Sequence, residues 1–107
     1  MTKPEIFQVA TTTGNRDEAE RIAVTLVERK LAACVQISGP VNSIYRWQDN
    51  VEHSQEWVCT VKTIQALYDE VEKTIRELHS YDVPEILAVK VKTGFGDYLR
   101  WVHDGVK

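Results

Sequence analysis

The spacing of apolar residues along the chain separates extended segments from amphipathic helices. Short apolar runs and period-two alternation predict four strands, over residues 5–12, 32–48, 55–63 and 86–92, with a Gly-Pro pair interrupting the second. Apolar residues recur at helical spacing after the first and third strands, which predicts two helices that each bury one stripe. The stripes are Ala19, Ile22, Ala23, Leu26 and Val27 in the first helix, and Leu67, Tyr68, Val71, Ile75 and Leu78 in the second.

The turn before the first helix has two interpretations. Asn15 followed by Glu18 predicts an N-cap with a carboxylate in the first helical turn. The segment from Thr11 to Arg16 also places a flexible turn and a cation at a helix N-terminus, where anions bind. The segment has no P-loop or GxGxxG spacing, so we favour ordinary helix capping.

The element order is β-α-β-β-α-β, with a short terminal helix predicted over 97–103. Tyr98, Trp101 and Val102 form the apolar side predicted for that helix. This order is that of the ferredoxin-like split βαβ fold, an α+β class with two helices on one face of a four-stranded antiparallel sheet. The chain has 107 residues, and we expect a single domain over residues 1–107.

The lengths of the predicted elements indicate a protruding central hairpin. The first helix, of about 15 residues, is about 22 Å long, whereas the strand over 32–48 extends about 56 Å if straight. The projecting part carries Ile44, Tyr45 and Trp47, and Trp57 is a further candidate for it. Large uncovered apolar groups usually mark a partner surface, so we expect a homo-oligomer. The alternative is that the bend at Gly39-Pro40 folds the hairpin back onto its own domain.

Charge and composition exclude several classes of protein. The chain has 13 Lys and Arg against 16 Asp and Glu, a formal net charge of −3, unlike a non-specific nucleic-acid binder or a membrane-surface helix. No apolar run approaches the roughly 20 residues of a membrane span. The first residues are not followed by the apolar segment of a signal peptide, so we expect none. We therefore expect neither nucleic acid nor membrane as a partner, and a cytoplasmic protein with both cysteines reduced.

Candidate metal ligands are scattered along the sequence. Cys34, Cys59, His53, His79 and His103 lack CxxC, HxxxH or HExxH spacing, so any site needs distant segments or different subunits. Thiolate and imidazole together favour copper. Each candidate has an alternative: a cysteine in an apolar strand usually packs as a small hydrophobe, and His79 at a helix C-terminus complements the helix dipole.

A second set of polar and aromatic side chains could line a cleft. Charged groups with aromatic walls bind small charged molecules, such as a small anion, through charge-assisted hydrogen bonds. The alternative is ion pairing and aromatic packing at a subunit interface. The set comprises Tyr45, Arg46, Trp47, Glu56, Lys62, His79, Tyr81 and Glu85.

Catalysis has little support in the sequence. The serines at 38, 43, 54 and 80 show no Ser-His-Asp arrangement. Acylphosphatases share the element order, so the fold alone does not exclude an enzyme. Their Arg-bearing anion loop follows the first strand, where this chain has a run of threonines. We expect a protein that is not an enzyme and has no organic cofactor.

Five parts of the sequence together resemble the CutA family of divalent-cation tolerance proteins. They are Leu31–Val35, Ser43–Trp47, Glu56 with Lys62, His79–Ile86 and Tyr98–Trp101. The segment over 79–86 is the most specific, and the resemblance spans essentially the whole chain. Two positions depart from the family pattern, which usually has Pro where Ser80 stands and often Glu where Asp82 stands. Both departures touch the rigidity of the chain around His79.

The resemblance implies a ferredoxin-like fold, a tightly packed homotrimer and an architecture similar to the PII signalling proteins. It implies copper or another divalent metal ion as the bound cofactor, with Cys34 and His79 as candidate ligands. Two hypotheses follow: a metal-binding homotrimer in the response to metal ions, or a PII-like trimer for small-molecule binding, signalling or scaffolding. In the second, the cleft between subunits would use Tyr45, Trp47, Glu56, Lys62, Tyr81 and Glu85.

Overall fold

The computed structural model describes residues 5–107 and has the predicted ferredoxin-like order. The strands form one antiparallel sheet in the order β2-β3-β1-β4. The expectation about a signal peptide concerns in part residues 1–4, which lie outside the described residues. No helix in the described range is long and apolar enough to span a membrane. The elements are β1 (Ile6–Thr13), α1 (Arg16–Glu28), β2 (Cys34–Trp47), β3 (Asn50–Ile64), α2 (Tyr68–Leu78), β4 (Ile86–Lys90) and α3 (Gly96–Asp104).

Helices α1 and α2 cover one face of the sheet and enclose the main core. The predicted stripes face inward because apolar residues three and four positions apart share one side of a helix. Val27 is the exception, since α1 ends one residue later and leaves this side chain 43% exposed. The core cluster consists of Val9, Ile22, Leu26, Leu31, Ala32, Val61, Leu67, Val71 and Ile75.

Helix α3 packs on the opposite face of the sheet. Ile6 alternates with Phe7 along β1 and therefore points away from the main core; it forms a second cluster with Leu99 and Val102. The apolar side predicted for α3 was wrong for Tyr98 and Trp101, which are exposed and stack on each other at 5.7 Å. Val102 is buried as predicted, together with Leu99, which lies three residues earlier on the inner side of the helix.

The central hairpin projects from the rest of the molecule, as its length predicted. Its turn contains only Gln48 and Asp49, both at positive φ, with Trp47 paired to Asn50. Strand β3 begins at Asn50 instead of the predicted residue 55. Mostly polar residues fill the start of β3 and hide the strand from a search for apolar alternation.

We call residues 44–51 the hairpin tip. Its large apolar side chains are exposed: Ile44 by 64%, Trp47 by 61% and Val51 by 60%. The molecule measures 51 Å along its longest axis and 25 Å and 22 Å along the others. The hairpin is therefore extended, and the alternative in which it folds back onto its own domain was wrong.

The interruption predicted at Gly39-Pro40 is an irregularity within a continuous β2. The pairing register with β3 shifts between Ser38 and Val41. Gly39 has φ +147°, and an added Cβ would lie 2.8 Å from the Trp57 ring. Glycine is required here because both the backbone conformation and the contact exclude a side chain.

Candidate functional site

The chain between α2 and β4 begins with three residues that contact three other elements. Helix α2 ends at Leu78, and its C-cap His79 is already extended. We call His79, Ser80 and Tyr81 the 79–81 turn. Each of its side chains has a different partner, in β1, α1 and β3 respectively. The turn therefore fixes the start of the segment that resembles the CutA family most specifically.

His79 uses both ring nitrogens within the chain. Its Nε2 lies 2.7 Å from the carbonyl oxygen of Thr12, and the Tyr81 backbone N–H donates to its Nδ1 at 3.1 Å. The hydrogen bonds assign the ring proton to Nε2, since Nδ1 acts as the acceptor. The side chain is fully buried. A metal ion would have to displace one of these bonds to reach either nitrogen.

Ser80 is held by the carboxylate of Glu18, in the first turn of α1. The Ser80 N–H donates to Oε1 at 2.5 Å, and its hydroxyl donates to Oε2 at 3.0 Å. The predicted N-cap is confirmed, since the Asn15 side chain accepts from the Glu18 N–H at 2.8 Å. The Glu18 side chain, only 2% exposed, instead joins two parts of the chain 62 residues apart. Nothing in the sequence spacing signals this contact.

The residues around the start of α1 form structural contacts within the chain. Thr13 Oγ1 donates to the Asn15 carbonyl at 2.7 Å. Arg16, the cation of the alternative anion site, lies 3.5 Å from the carboxylate of Glu20 at the surface. Gly14 lies against Tyr81, where an added Cβ would come within 3.1 Å of the phenol oxygen. These contacts agree with helix capping.

Tyr81 joins the turn to β3. Its hydroxyl donates to Glu56 Oε2 at 2.9 Å, and Glu56 is only 8% exposed. Burial raises the pKa of Tyr81 to about 12, with further contributions from the hydrogen bond and charge of Glu56 and from Tyr45 and Glu18. The rings of Tyr81 and His79 are 4.9 Å apart. Three predicted cleft residues, Glu56, His79 and Tyr81, therefore lie together.

The other predicted cleft residues lie apart from this cluster within one chain. Lys62 is six residues beyond Glu56 on β3, about 20 Å along the strand, and its Nζ donates to Gln36 Oε1 at 2.8 Å. Trp47 pairs with Asn50, six residues from Glu56 in the other direction. Glu85 is exposed and forms no side-chain hydrogen bond within residues 5–107. A common cleft for all of them needs a second subunit.

The candidate metal ligands do not meet within one chain. Cys34 is half-buried at the start of β2, opposite Lys62. Cys59 is buried with its Sγ 3.5 Å from the Ala19 carbonyl, and burial raises the pKa of its thiol to about 11. His53 and His103 are exposed. Residues 5–107 contain no group of three or more His, Cys, Asp or Glu placed to hold a metal ion. The described residues of one chain therefore do not fit a metal centre.

A cleft of about 490 Å³ lies between the end of α2 and the 79–81 turn. The helix contributes three charged residues, and the following chain contributes the turn, Asp82 and Pro84. We call it the α2-side cleft. A second depression of about 460 Å³ lies between the C-terminal end of α1 and α2. Both are lined by Lys73 and Glu77.

The comparisons with known proteins agree on one family. The profile of the CutA1 divalent ion tolerance protein matches residues 7–105. The divalent-cation tolerance protein CutA of Thermus thermophilus is 40% identical over 96 residues, covering 90% of this chain and 93% of that protein. The chloroplastic protein CutA of Arabidopsis thaliana is 34% identical over 106 residues, and the alignment covers 99% of this chain and 58% of the plant protein.

The fold agrees with the same assignment. The crystal structure of CutA1 from Oryza sativa matches with a TM-score of 0.96 at 32% identity, covering 100% of this chain and 98% of that one. The match includes the full sheet and all three helices, since it spans the whole chain. Sequence and structure thus place the chain in the CutA family of divalent-cation tolerance proteins.

Proposed function

We propose that the chain is a subunit of a cytoplasmic homotrimer that acts in the cell's tolerance of divalent cations. The relatives from Thermus and other organisms are named for this role. The observation that carries the assembly is the uncovered hairpin tip, where Ile44, Trp47 and Val51 are each at least 60% exposed. Isolated apolar residues at a surface are ordinary, but several large ones on one projecting element favour a protein interface.

We propose copper as the metal ion of this role, with Cys34 and His79 as the ligands to be tested. Copper accepts both thiolate and imidazole ligands. Cys34 is only half-buried, whereas His79 is occupied by its bonds to Thr12 and Tyr81. Coordination at His79 and the present form of the 79–81 turn exclude each other. Metal binding through His79 would therefore be accompanied by a change in this turn.

Calorimetric titration of metal-free, full-length protein with copper(II), and with zinc(II) for comparison, tests direct binding. The proposal predicts saturation at a fixed ratio per trimer, with zinc weaker, and loss of binding in Cys34→Ser or His79→Gln. His103→Gln is the matched control, since His103 is exposed on α3. Non-saturating heats for both metals, or equal binding by all variants, would remove copper binding and leave the tolerance role indirect. Sedimentation of the same samples tests the trimer separately.

A second candidate function is binding of a small anion in a cleft between subunits, as in a PII-like signalling trimer. It is favoured by Tyr81 and Glu56, whose hydrogen bond already orders one wall. A neighbouring subunit would supply Lys62, Glu85, Tyr45 and Trp47 to that wall. A thermal-shift screen with anionic metabolites should raise the melting temperature of the parent protein and not of Lys62→Ala. No shift with any anion would exclude this function. Neither function requires a catalytic step.

A further inference from the structure

The α2-side cleft shares His79 and Tyr81 with the two candidates above and adds charged residues that neither of them uses. Its helix wall carries Lys73, Arg76 and Glu77, and its other wall carries Asp82 beyond the 79–81 turn. All four are exposed charged residues that form no ion pair or side-chain hydrogen bond with residues 5–107. Their charged groups are therefore available to a molecule bound in the cleft.

The wall next to the helix is already fixed. Ser80 is held by two hydrogen bonds from its backbone and hydroxyl to Glu18. His79 is held to Thr12, and Pro84 limits the conformation of the chain that follows. A molecule entering the cleft therefore meets a wall that does not have to be ordered by binding, which lowers the cost of association.

The charged residues on the two walls indicate which class of ligand fits the cleft. Lys73 and Arg76, three residues apart, share one side of α2 and together attract an anionic group. Asp82, with Glu77 at the end of the helix, attracts a cation. A simple anion would be repelled by the carboxylates, and a metal cation by Lys73 and Arg76. A molecule with both an anionic and a cationic group satisfies both sets.

We propose that the α2-side cleft binds a small zwitterion of the amino-acid or short-peptide class. The ligand carboxylate accepts from Arg76 and Lys73, and its ammonium group donates to Asp82 or Glu77. The volume of about 490 Å³ falls within the range of small-molecule sites, roughly 300–1,000 Å³. This site depends on one chain only and does not rest on metal binding or on the cleft between subunits.

The test uses small related probes that carry different charges. Glycylglycine carries both charges, N-acetylglycine the negative charge alone, and glycinamide the positive charge alone. Chemical shifts of the full-length protein, followed by NMR at millimolar probe, should give glycylglycine an affinity about tenfold above either other probe. Shifts should concentrate on residues 73–84. Arg76→Gln and Asp82→Asn should each weaken glycylglycine binding about tenfold.

A matched control separates this site from ordinary surface charge. Arg100→Gln removes an exposed cation paired with Asp97 on α3 and should leave the affinity unchanged. Equal affinity for N-acetylglycine and glycylglycine, no shifts at any concentration, or an equal loss in Arg100→Gln would overturn the proposal. Copper titration and sedimentation of Arg76→Gln should match the parent, so failure here is distinct from failure of the proposed function.

Discussion

The 79–81 turn and the hairpin tip differ in where their side chains find partners. In the turn, each residue forms at least one hydrogen bond within the chain, and Glu18 and His79 are buried. At the tip, Ile44 and Trp47 face solvent. The turn thus finds its partners within one chain, whereas the tip leaves its large apolar side chains uncovered.

Different physical forces act at the 79–81 turn and at the hairpin tip. The turn is held by directional hydrogen bonds to a buried carboxylate and to a carbonyl, which lose much of their value if one partner is removed. The exposed apolar side chains of the tip add stabilisation only when association buries them. Substitutions in the turn should therefore change the stability of each subunit, and substitutions in the tip should change assembly.

The largest effect on stability is expected for Glu18→Ala, which removes the carboxylate that holds the turn. The Ser80 N–H and hydroxyl lose their acceptor, and we expect the free energy of unfolding to fall by about 3 kcal/mol. Glu20→Ala is the matched control, since Glu20 is exposed and pairs only with Arg16, and it should cost less than about 0.5 kcal/mol. Denaturant unfolding at one protein concentration measures both. Equal losses would mean that the buried contacts add nothing beyond a surface charge.

The next effect is expected for the hairpin tip, and it concerns assembly instead of the stability of one chain. Burial of a large apolar side chain contributes about 2 kcal/mol, so Ile44→Lys combined with Trp47→Lys should dissociate the oligomer at concentrations where the parent protein is assembled. Val24→Lys, an exposed apolar position on α1, should leave assembly intact. Sedimentation velocity at matched concentrations compares them. An unchanged sedimentation coefficient in the double variant would mean that the tip is not the interface.

Features that depend on residues close together in the sequence could be predicted from it. The helices and strands follow the apolar period, because each element buries one side. The projection of the hairpin follows from chain length and helix length alone. These features depend on residues close together in the sequence. The resemblance to the CutA family was likewise carried by local segments such as 79–86.

Contacts between distant residues could not be predicted in this way. The Glu18–Ser80 bonds join residues 62 positions apart, and either residue alone resembles an ordinary cap or loop residue. The inner side of α3 was misplaced because large aromatic side chains suggest burial, whereas Leu99 and Val102 fit against Ile6. The α2-side cleft depends on the relative position of two elements and has no sequence motif.

A smaller effect, and of opposite sign, is expected next to the turn. Thr11 Oγ1 is buried and has no hydrogen-bond partner in the described part of the chain. Thr11→Val keeps the side-chain shape and removes the unpartnered hydroxyl, so the free energy of unfolding should rise by about 1 kcal/mol. Thr63→Val is the matched case, since its Oγ1 donates to the Leu31 carbonyl at 2.6 Å, and it should lower stability. Denaturant unfolding of both variants checks the signs; a loss in Thr11→Val would show that its hydroxyl is bonded.

The smallest effect is expected for the titration of Tyr81 at high pH. The pKa of Tyr81 is raised to about 12 from an ordinary 10, so the folded chain keeps a proton that the unfolded chain releases. The associated stability is fully present below pH 10 and is lost as the pH rises through about 12. Glu56→Gln removes the carboxylate charge and should lower the pKa of Tyr81.

Absorbance of the tyrosinate against pH measures this change, and Tyr81→Phe identifies which of the four tyrosines titrates. Glu72→Gln is the matched control, because Glu72 accepts from Tyr68 at 3.0 Å and raises the pKa of that residue instead. It should leave the Tyr81 transition in place. If Glu56→Gln also leaves it unchanged, Glu56 does not contribute to the raised pKa of Tyr81, and burial accounts for it.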